Sequence, residues 1–255
     1  MARFLSERTS LALANPARSC YNEGMEQPYQ PQQLSPQDID SSVAQAYLNK
    51  VYLWMAGCMA VTAAVAAYTL NSVETLTWVV NHLLLTSLIS IGVVVVMCFG
   101  ARRLTRNALA AMLVIFAAVQ GLLFGPICYA YTQESLGLTF GVTAGMFGAM
   151  SLYGYCTKRD LSVWGRGLMM ALIGLIIAGI ANIFWGNSTF DFIVSAAGVV
   201  VFAAFTAYDT QMLLVQGLCT SGEEREKDAI FGALNLYLDF INLFLCLLRF
   251  LGDRD

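Results

Sequence analysis

Charge is scarce in this chain. Only 12% of its 255 residues are Asp, Glu, Lys or Arg, while 58% are hydrophobic; a soluble domain is typically about 25% charged. Histidine is nearly missing: His82 is the sole one, which argues against a His-based metal or haem site. The seven cysteines, at 20, 58, 98, 128, 156, 219 and 246, form no Cys-x-x-Cys pair. Most fall inside apolar segments, where they read as small polarizable membrane residues. No basic patch with interleaved aromatics occurs, so nucleic acid is not an expected partner. Residues 1–20 contain no sustained apolar core, so no cleaved signal peptide is read there. The Leu-Ala-Leu-Ala stretch before Cys20 is interrupted by Asn15, Pro16 and Arg18, which also argues against a lipoprotein signal.

Long apolar runs are what the chain has instead. Seven segments recur, at approximately 49–70, 78–99, 107–130, 136–156, 164–186, 190–214 and 229–250. Each is long enough to cross a hydrocarbon core about 30 Å thick at about 1.5 Å per residue. The links between them are short, so the expected fold is an all-α membrane protein of seven transmembrane helices in one bundle, spanning 47–252. Residues 1–46 form a tail with four of the five prolines and the run Gln27-Pro-Tyr-Gln-Pro-Gln-Gln, disordered in character. His82 is expected at an interface, near the start of the second segment.

The basic residues set an orientation. With the tail cytoplasmic and all seven segments crossing, the cytoplasmic side carries Arg3, Arg8, Arg18, Lys50, Arg102, Arg103, Arg106, Lys158, Arg159, Arg166, Arg225 and Lys227. The loops near 71–77, 131–135 and 187–189 carry no Lys or Arg. Only Arg249 and Arg254, at the C-terminus, depart from a positive-inside pattern. The C-terminus lies on the opposite side if all seven segments span. If the last segment were re-entrant, Arg249 and Arg254 would also lie inside.

Two aspartates lie within apolar segments: Asp209, in Ala207-Tyr-Asp-Thr-Gln211, and Asp239, near the middle of the last segment. An ionisable group at that depth costs about 2.5–3.5 kcal/mol or more, depending on the scale. In a helical last segment Gly232, Asn235, Asp239, Asn242, Cys246 and Arg249 follow spacings of 3, 4, 3, 4 and 3, which makes one stripe. Such a stripe should face protein or water rather than lipid, so this helix is expected at the centre of the bundle. Asn235 and Asn242 also fit a structural role as interhelical hydrogen-bond glue. Asp209 lies roughly 9 Å and Asp239 roughly 15 Å below the same side at 1.5 Å per residue. Thr206 and Thr210 flank Asp209 at helical spacing and are expected hydrogen-bond donors to it. Two carboxylates brought together in low dielectric cannot easily both ionise, and the pair can share a proton. When ionised, it offers hard oxygen ligands to a cation such as Ca²⁺. Arg102 and Arg103 end the second segment on that side. They read either as positive-inside anchors or as a latch that reaches inward to an aspartate. Gly121-Leu-Leu-Phe-Gly125, before Pro126, and Gly141-Val-Thr-Ala-Gly145, before Gly148, permit close helix packing and, at Pro126, a kink.

The last segment, Leu236-Tyr-Leu-Asp-Phe-Ile-Asn-Leu-Phe-Leu-Cys-Leu-Leu-Arg249, resembles the most recognisable stretch of the Bax inhibitor-1 family, also called the transmembrane Bax-inhibitor-motif family. Tyr208-Asp-Thr-Gln211 resembles that family's other aspartate motif, and Phe124-Gly-Pro-Ile127 is a weaker match. The resemblance covers about 48–252 and is closer to the bacterial members, which implies the cytoplasmic (inner) membrane. It implies a seven-helix fold with the last helix surrounded by the others, and a pH-sensitive Ca²⁺ leak governed by a di-aspartyl pair. That pair falls on Asp209 and Asp239, and a latching arginine on Arg103 or Arg102. Some bacterial members carry a glutamate within the second helix. Here Ser87-Leu-Ile-Ser-Ile-Gly92 has no acid, so gating that uses one is not implied.

The expected function is therefore a pH-regulated cation leak, with no cofactor. The competing reading is a regulatory protein that binds a membrane protease or another complex through its tail and small-residue grooves. An intramembrane enzyme has less support. A serine protease wants a histidine base, for which His82 is the sole candidate, and no Gly-x-Ser-x-Gly occurs. A retinal protein needs an intramembrane lysine, and Lys50, Lys158 and Lys227 lie at segment ends or in loops.

Overall fold

The computed structural model describes residues 41–100, 103–186 and 188–253. Among them are eight α-helices and no strand: α1 (Ser41–Asn71), α2 (Val73–Asn81), α3 (Leu83–Gly100), α4 (Arg106–Tyr129), α5 (Gln133–Cys156), α6 (Gly165–Trp185), α7 (Ser188–Cys219) and α8 (Gly222–Leu251). A 3₁₀ turn at Ser162–Trp164 leads into α6. Seven helices are long and apolar enough to cross a bilayer, all but the short α2. The N-terminal tail, apart from its last few residues, lies outside the described residues. Residues 41–46 belong to α1, so the first helix begins well before the expected position 49.

The helix ends are set by local chemistry. Thr105 caps α4 by accepting from the Ala108 N–H, and Thr132 caps α5 by accepting from Ser135, which satisfies amides that a helix start leaves free. Gly186, with φ of 60°, closes α6 in a left-handed conformation that suits glycine. Pro126 is accommodated in the last turn of α4, which ends at Tyr129.

One expected segment divides. The stretch 78–99 is not a single helix: α2 ends at Asn81, and α3 starts afresh at Leu83. The His82 N–H turns back onto the carbonyls of Trp78 and Val79, and its ring stacks on Trp78 at 4.7 Å. Ser72 caps α2, whose nine residues are too few to span. With Val73 and Trp78 outward and Val79 fully buried, α2 has the build of a helix lying along an interface. His82 is exposed and sits at the junction of α2 and α3.

Burial is inverted relative to a soluble protein. Leu84 and Phe184 are each 83% exposed, and an outer wall of such residues is what lipid covers. The helix α8 differs from the rest. Two-thirds of its apolar window is buried (67%), against 11–39% in the other spans. It packs against α1, α4, α5 and α7, so the last helix is the core of the bundle.

Small residues bring its neighbours together. A Cβ at Gly121 would stand 2.7 Å from the Thr62 carbonyl oxygen, and one at Gly125 would run into Thr69; α1 and α4 therefore meet backbone to backbone. Gly154 gives α5 the same approach to Ala207 of α7. The second glycine motif does not pack this way: a Cβ at Gly141, Gly145 or Gly148 would meet nothing within 4 Å, and these glycines face outward. Thr62 links three helices, donating to Ala117 O at 2.9 Å and lying 2.7 Å from the Tyr237 hydroxyl.

Candidate ion site

The helices α7 and α8 run antiparallel, joined by a tight link at residues 220–221. Their register follows from two close approaches: Gly232 against Leu213, and Gly198 against the Cys246 sulfur. Counting seven residues from Gly232 places Asp239 level with Thr206. Asp209 is three residues away along α7, roughly 4.5 Å in rise. The two carboxylates face one seam within electrostatic reach of each other. Asp239 is only 6% exposed, and its Oδ2 has no hydrogen-bond partner. Asp209 is half-buried. An orphaned carboxylate oxygen is unusual in a packed interior, because buried polar groups are almost always paired.

The residues expected to support the pair behave differently. Thr206 donates to Phe202 O at 2.9 Å and Thr210 to Thr206 O at 2.7 Å, so neither serves Asp209. A buried threonine in a helix satisfies itself on the carbonyl four residues back. Thr210 also lies 3.5 Å from Ser151 Oγ and 3.4 Å from the Tyr52 hydroxyl. The stripe on α8 also splits. Gly232 and Asp239 are buried, whereas Asn235 is exposed and Asn242 is half-buried, donating to Leu238 O at 2.8 Å. The stripe is wider than the contact with α7, so Asn235 and Asn242 fall on its open flank. Neither asparagine is interhelical glue here.

Arg103 is exposed, and no ion pair joins it to Asp209 or Asp239. It sits after α3, which packs mainly on α4, away from the α7–α8 seam. No latch is closed by Arg103 in this structure, and Arg102 lies outside the described residues.

Several participants were not legible in the sequence. Gln211 grips the link before α6 with both ends of its amide: Nε2 donates to Arg159 O at 2.8 Å, and Oε1 accepts from Leu161 N at 2.7 Å. Tyr208 points at Gly165, where a Cβ would come within 2.6 Å of its hydroxyl. The Tyr-Asp-Thr-Gln run thus fastens the α5–α6 link around Asp209. At the same end, Glu226 pairs with Lys50 and, at 3.2 Å, with Arg106, tying α8 to α1 and α4. Asp228, 8% exposed, is a second fully buried carboxylate in addition to Asp239. It lies four residues before Gly232 and so extends the stripe back by one turn, just ahead of the apolar segment that starts near 229.

A crevice of about 410 Å³ opens between α1 and α5. Gln45, Asn49, Tyr52, Ser151, Tyr155 and Thr210 supply polar groups to its wall. It reaches α7 at the residue next to Asp209. No cluster of three or more His, Cys, Asp or Glu forms among the described residues. Two carboxylates are too few for the six to eight oxygens of a tight Ca²⁺ cage; they suit a cation held briefly.

These features define a multi-helix membrane protein with a carboxylate pair in the seam of its most buried helix. The sequence matches the family described as inhibitor of apoptosis-promoting Bax1 over residues 44–255. It is 42% identical to an inner membrane protein of Escherichia coli, YbhL, over 82% of this chain and 92% of that protein. An uncharacterized protein of Deinococcus radiodurans is 40% identical over 82% of this chain and 91% of its own length. An uncharacterized protein of Rickettsia prowazekii is 38% identical over 82% and 89%. The chain belongs to the Bax inhibitor-1 family, as a multi-pass protein similar to a bacterial inner membrane protein.

Proposed function

We propose that the chain is a pH-regulated cation leak of the inner membrane, with Asp209 and Asp239 as its sensor and Ca²⁺ as the best-matched ion. The observation that carries this is Asp239: buried, with Oδ2 unpartnered, across a seam from a second carboxylate. When the pair holds a proton, its mutual repulsion is small and the bundle stays closed around α8. When both carboxylates ionise, they repel each other and attract a hard cation. Flux therefore rises as pH rises. The crevice between α1 and α5 is the approach from the end bearing Lys50, Arg106 and Arg159, taken as cytoplasmic from its positive charge, with the C-terminus opposite. The protein is a conduit rather than an enzyme, needs no cofactor, and Arg103 contributes charge to that end rather than a latch.

The test is Ca²⁺ flux in proteoliposomes at about pH 6 and about pH 8, on either side of neutrality, with Asp239→Asn alongside. Higher flux at the upper pH, lost in the variant, is the expected outcome. Flux in Asp239→Asn that matches wild type at both values sinks the reading.

The regulatory alternative draws on one feature. Gly141, Gly145 and Gly148 present an open small-residue face on α5, suited to another transmembrane helix. Pull-down of a membrane protease or complex that fails in a Gly145→Leu variant, with flux absent in wild type, would favour it.

A further inference from the structure

The seam that holds Asp209 and Asp239 has a further carboxylate at its other end. Asp191 lies eighteen residues before Asp209 on α7, five full helical turns, so both project from one face about 27 Å apart at 1.5 Å per residue. That separation approaches the thickness of a hydrocarbon core. Ser195, Gly198, Phe202 and Thr206 continue the same face between them. Gly198 touches Cys246 of α8 midway.

At the far end three helices converge on Asp191. Asn182 of α6 donates from Nδ2 to Asp191 Oδ1 at 3.3 Å, and Arg249 Nη1 of α8 lies 3.8 Å from the same oxygen. Two buried oxygens beside them have no partner: Asn182 Oδ1 and Ser195 Oγ, the latter on a residue 2% exposed and one turn along from Asp191 on its face. The guanidinium contact is loose and single, and the two side chains are 49% and 32% exposed. An ion pair of that kind is weak and readily displaced.

We propose that Asp191, with Asn182 Oδ1 and Ser195 Oγ, is an outer cation station of the α7–α8 seam, and that Arg249 is its tethered plug. The inference rests on the cation-leak reading and assigns that path its second mouth. The station offers a carboxylate and neutral oxygens, the donor set of a hard divalent cation. The positive side chain of Arg249 occupies the charge until a mobile cation replaces it. Arg249, one of the two basic residues that depart from the positive-inside pattern, is then placed by its acid rather than by topology.

The test is equilibrium binding of radioactive Ca²⁺ to the full chain in detergent, in the Asp209→Asn/Asp239→Asn background that removes the inner pair. Adding Arg249→Gln should tighten the residual binding tenfold or more. Arg249→Lys should leave it weak, and Asp191→Asn should abolish it. Residual binding indifferent to Arg249→Gln, or surviving Asp191→Asn, overturns the proposal. Because binding is read directly, absence of flux in wild type would defeat the leak reading without deciding the station. Should the inner-pair background not fold, Arg249→Gln alone is compared with wild type in proteoliposomes. The half-saturating Ca²⁺ should fall severalfold only from the side bearing Asp191, and no change from either side overturns the station.

Discussion

Two glycines on one helix should respond oppositely to the same methyl group. Gly154 of α5 lies against the Ala207 backbone, and a Cβ there would run into the Ala207 carbonyl oxygen. Neither partner is the flexible end of a side chain, so α5 and α7 must separate to admit it. Overpacking of this kind costs about 1–3 kcal/mol. Gly145, on the same helix, has nothing within 4 Å, and replacing an unpacked helical glycine with alanine gains up to about 1 kcal/mol. Both substitutions gain the same helix propensity, so they should differ by the overpacking cost at Gly154 alone, about 1–3 kcal/mol. At about 2–4 °C per kcal/mol for a chain of this size, Gly154→Ala should lower Tm by several degrees while Gly145→Ala leaves or raises it. Thermal unfolding of the purified protein in detergent, followed by loss of the monodisperse gel-filtration peak, measures both. A Tm for Gly154→Ala no lower than that of wild type would refute the close approach of α5 to Ala207. A fall in Gly145→Ala as large as that in Gly154→Ala would show that the outward glycine face is covered by another helix. Gly154 also bears on the pair, since Ala207 is two residues from Asp209: flux in Gly154→Ala should lose part of its pH dependence.

Other outcomes follow from individual contacts. Thr62 has one hydroxyl hydrogen and gives it to Ala117 O, so Tyr237 must be the donor to Thr62; Thr62→Val strands that buried hydroxyl and should cost about 1–3 kcal/mol. Tyr237→Phe should cost less, about 0.6 kcal/mol as for an average interhelical bond in a membrane, and Tm values in the reverse order would contradict the assigned direction. Gln211→Ala releases both backbone groups it holds in the α5–α6 link, so trypsin should cut at Lys158 or Arg159 severalfold faster than in wild type, with an unchanged rate as the refuting result. Glu226→Gln removes both ion pairs at the end of α8; because the partners are partly exposed, the loss should be about 1 kcal/mol or less and should shrink in high salt. A large, salt-independent fall in Tm would mean that Glu226 does more than pair with Lys50 and Arg106.

The spans were legible because hydropathy and length are local quantities. Asp209 and Asp239 could be named for the same reason: a carboxylate among twenty apolar residues is conspicuous in one dimension. The central position of α8 was also within reach, since its polar stripe has to face protein. The split of that stripe was not. Helical spacing says that Asn235, Asp239 and Asn242 share a face, but the width of the contact with α7 depends on how closely that helix approaches, set by Gly232 and Gly198. The two glycine motifs look alike as sequence. One packs α1 on α4 and the other faces outward, because nothing in a small-xxx-small spacing names the partner. The break at His82 was hidden by the apolar residues on both sides of it. The role of Gln211 was hidden because its partners lie some fifty residues away in a link with no hydrophobic signature.

By itself, then, the sequence determined an all-α membrane protein of seven spans, its family, and the two intramembrane carboxylates, since each follows from composition or spacing along one helix. The tertiary structure alone decided which polar groups meet. It set Asp239 across a seam from Asp209 with one oxygen unpartnered, turned Thr206 and Thr210 back on their own helix, left Arg103 outside, and joined Arg249 to Asp191. Those outcomes depend on helix register and on the few ångströms by which small residues let backbones approach, and neither is encoded in any single segment.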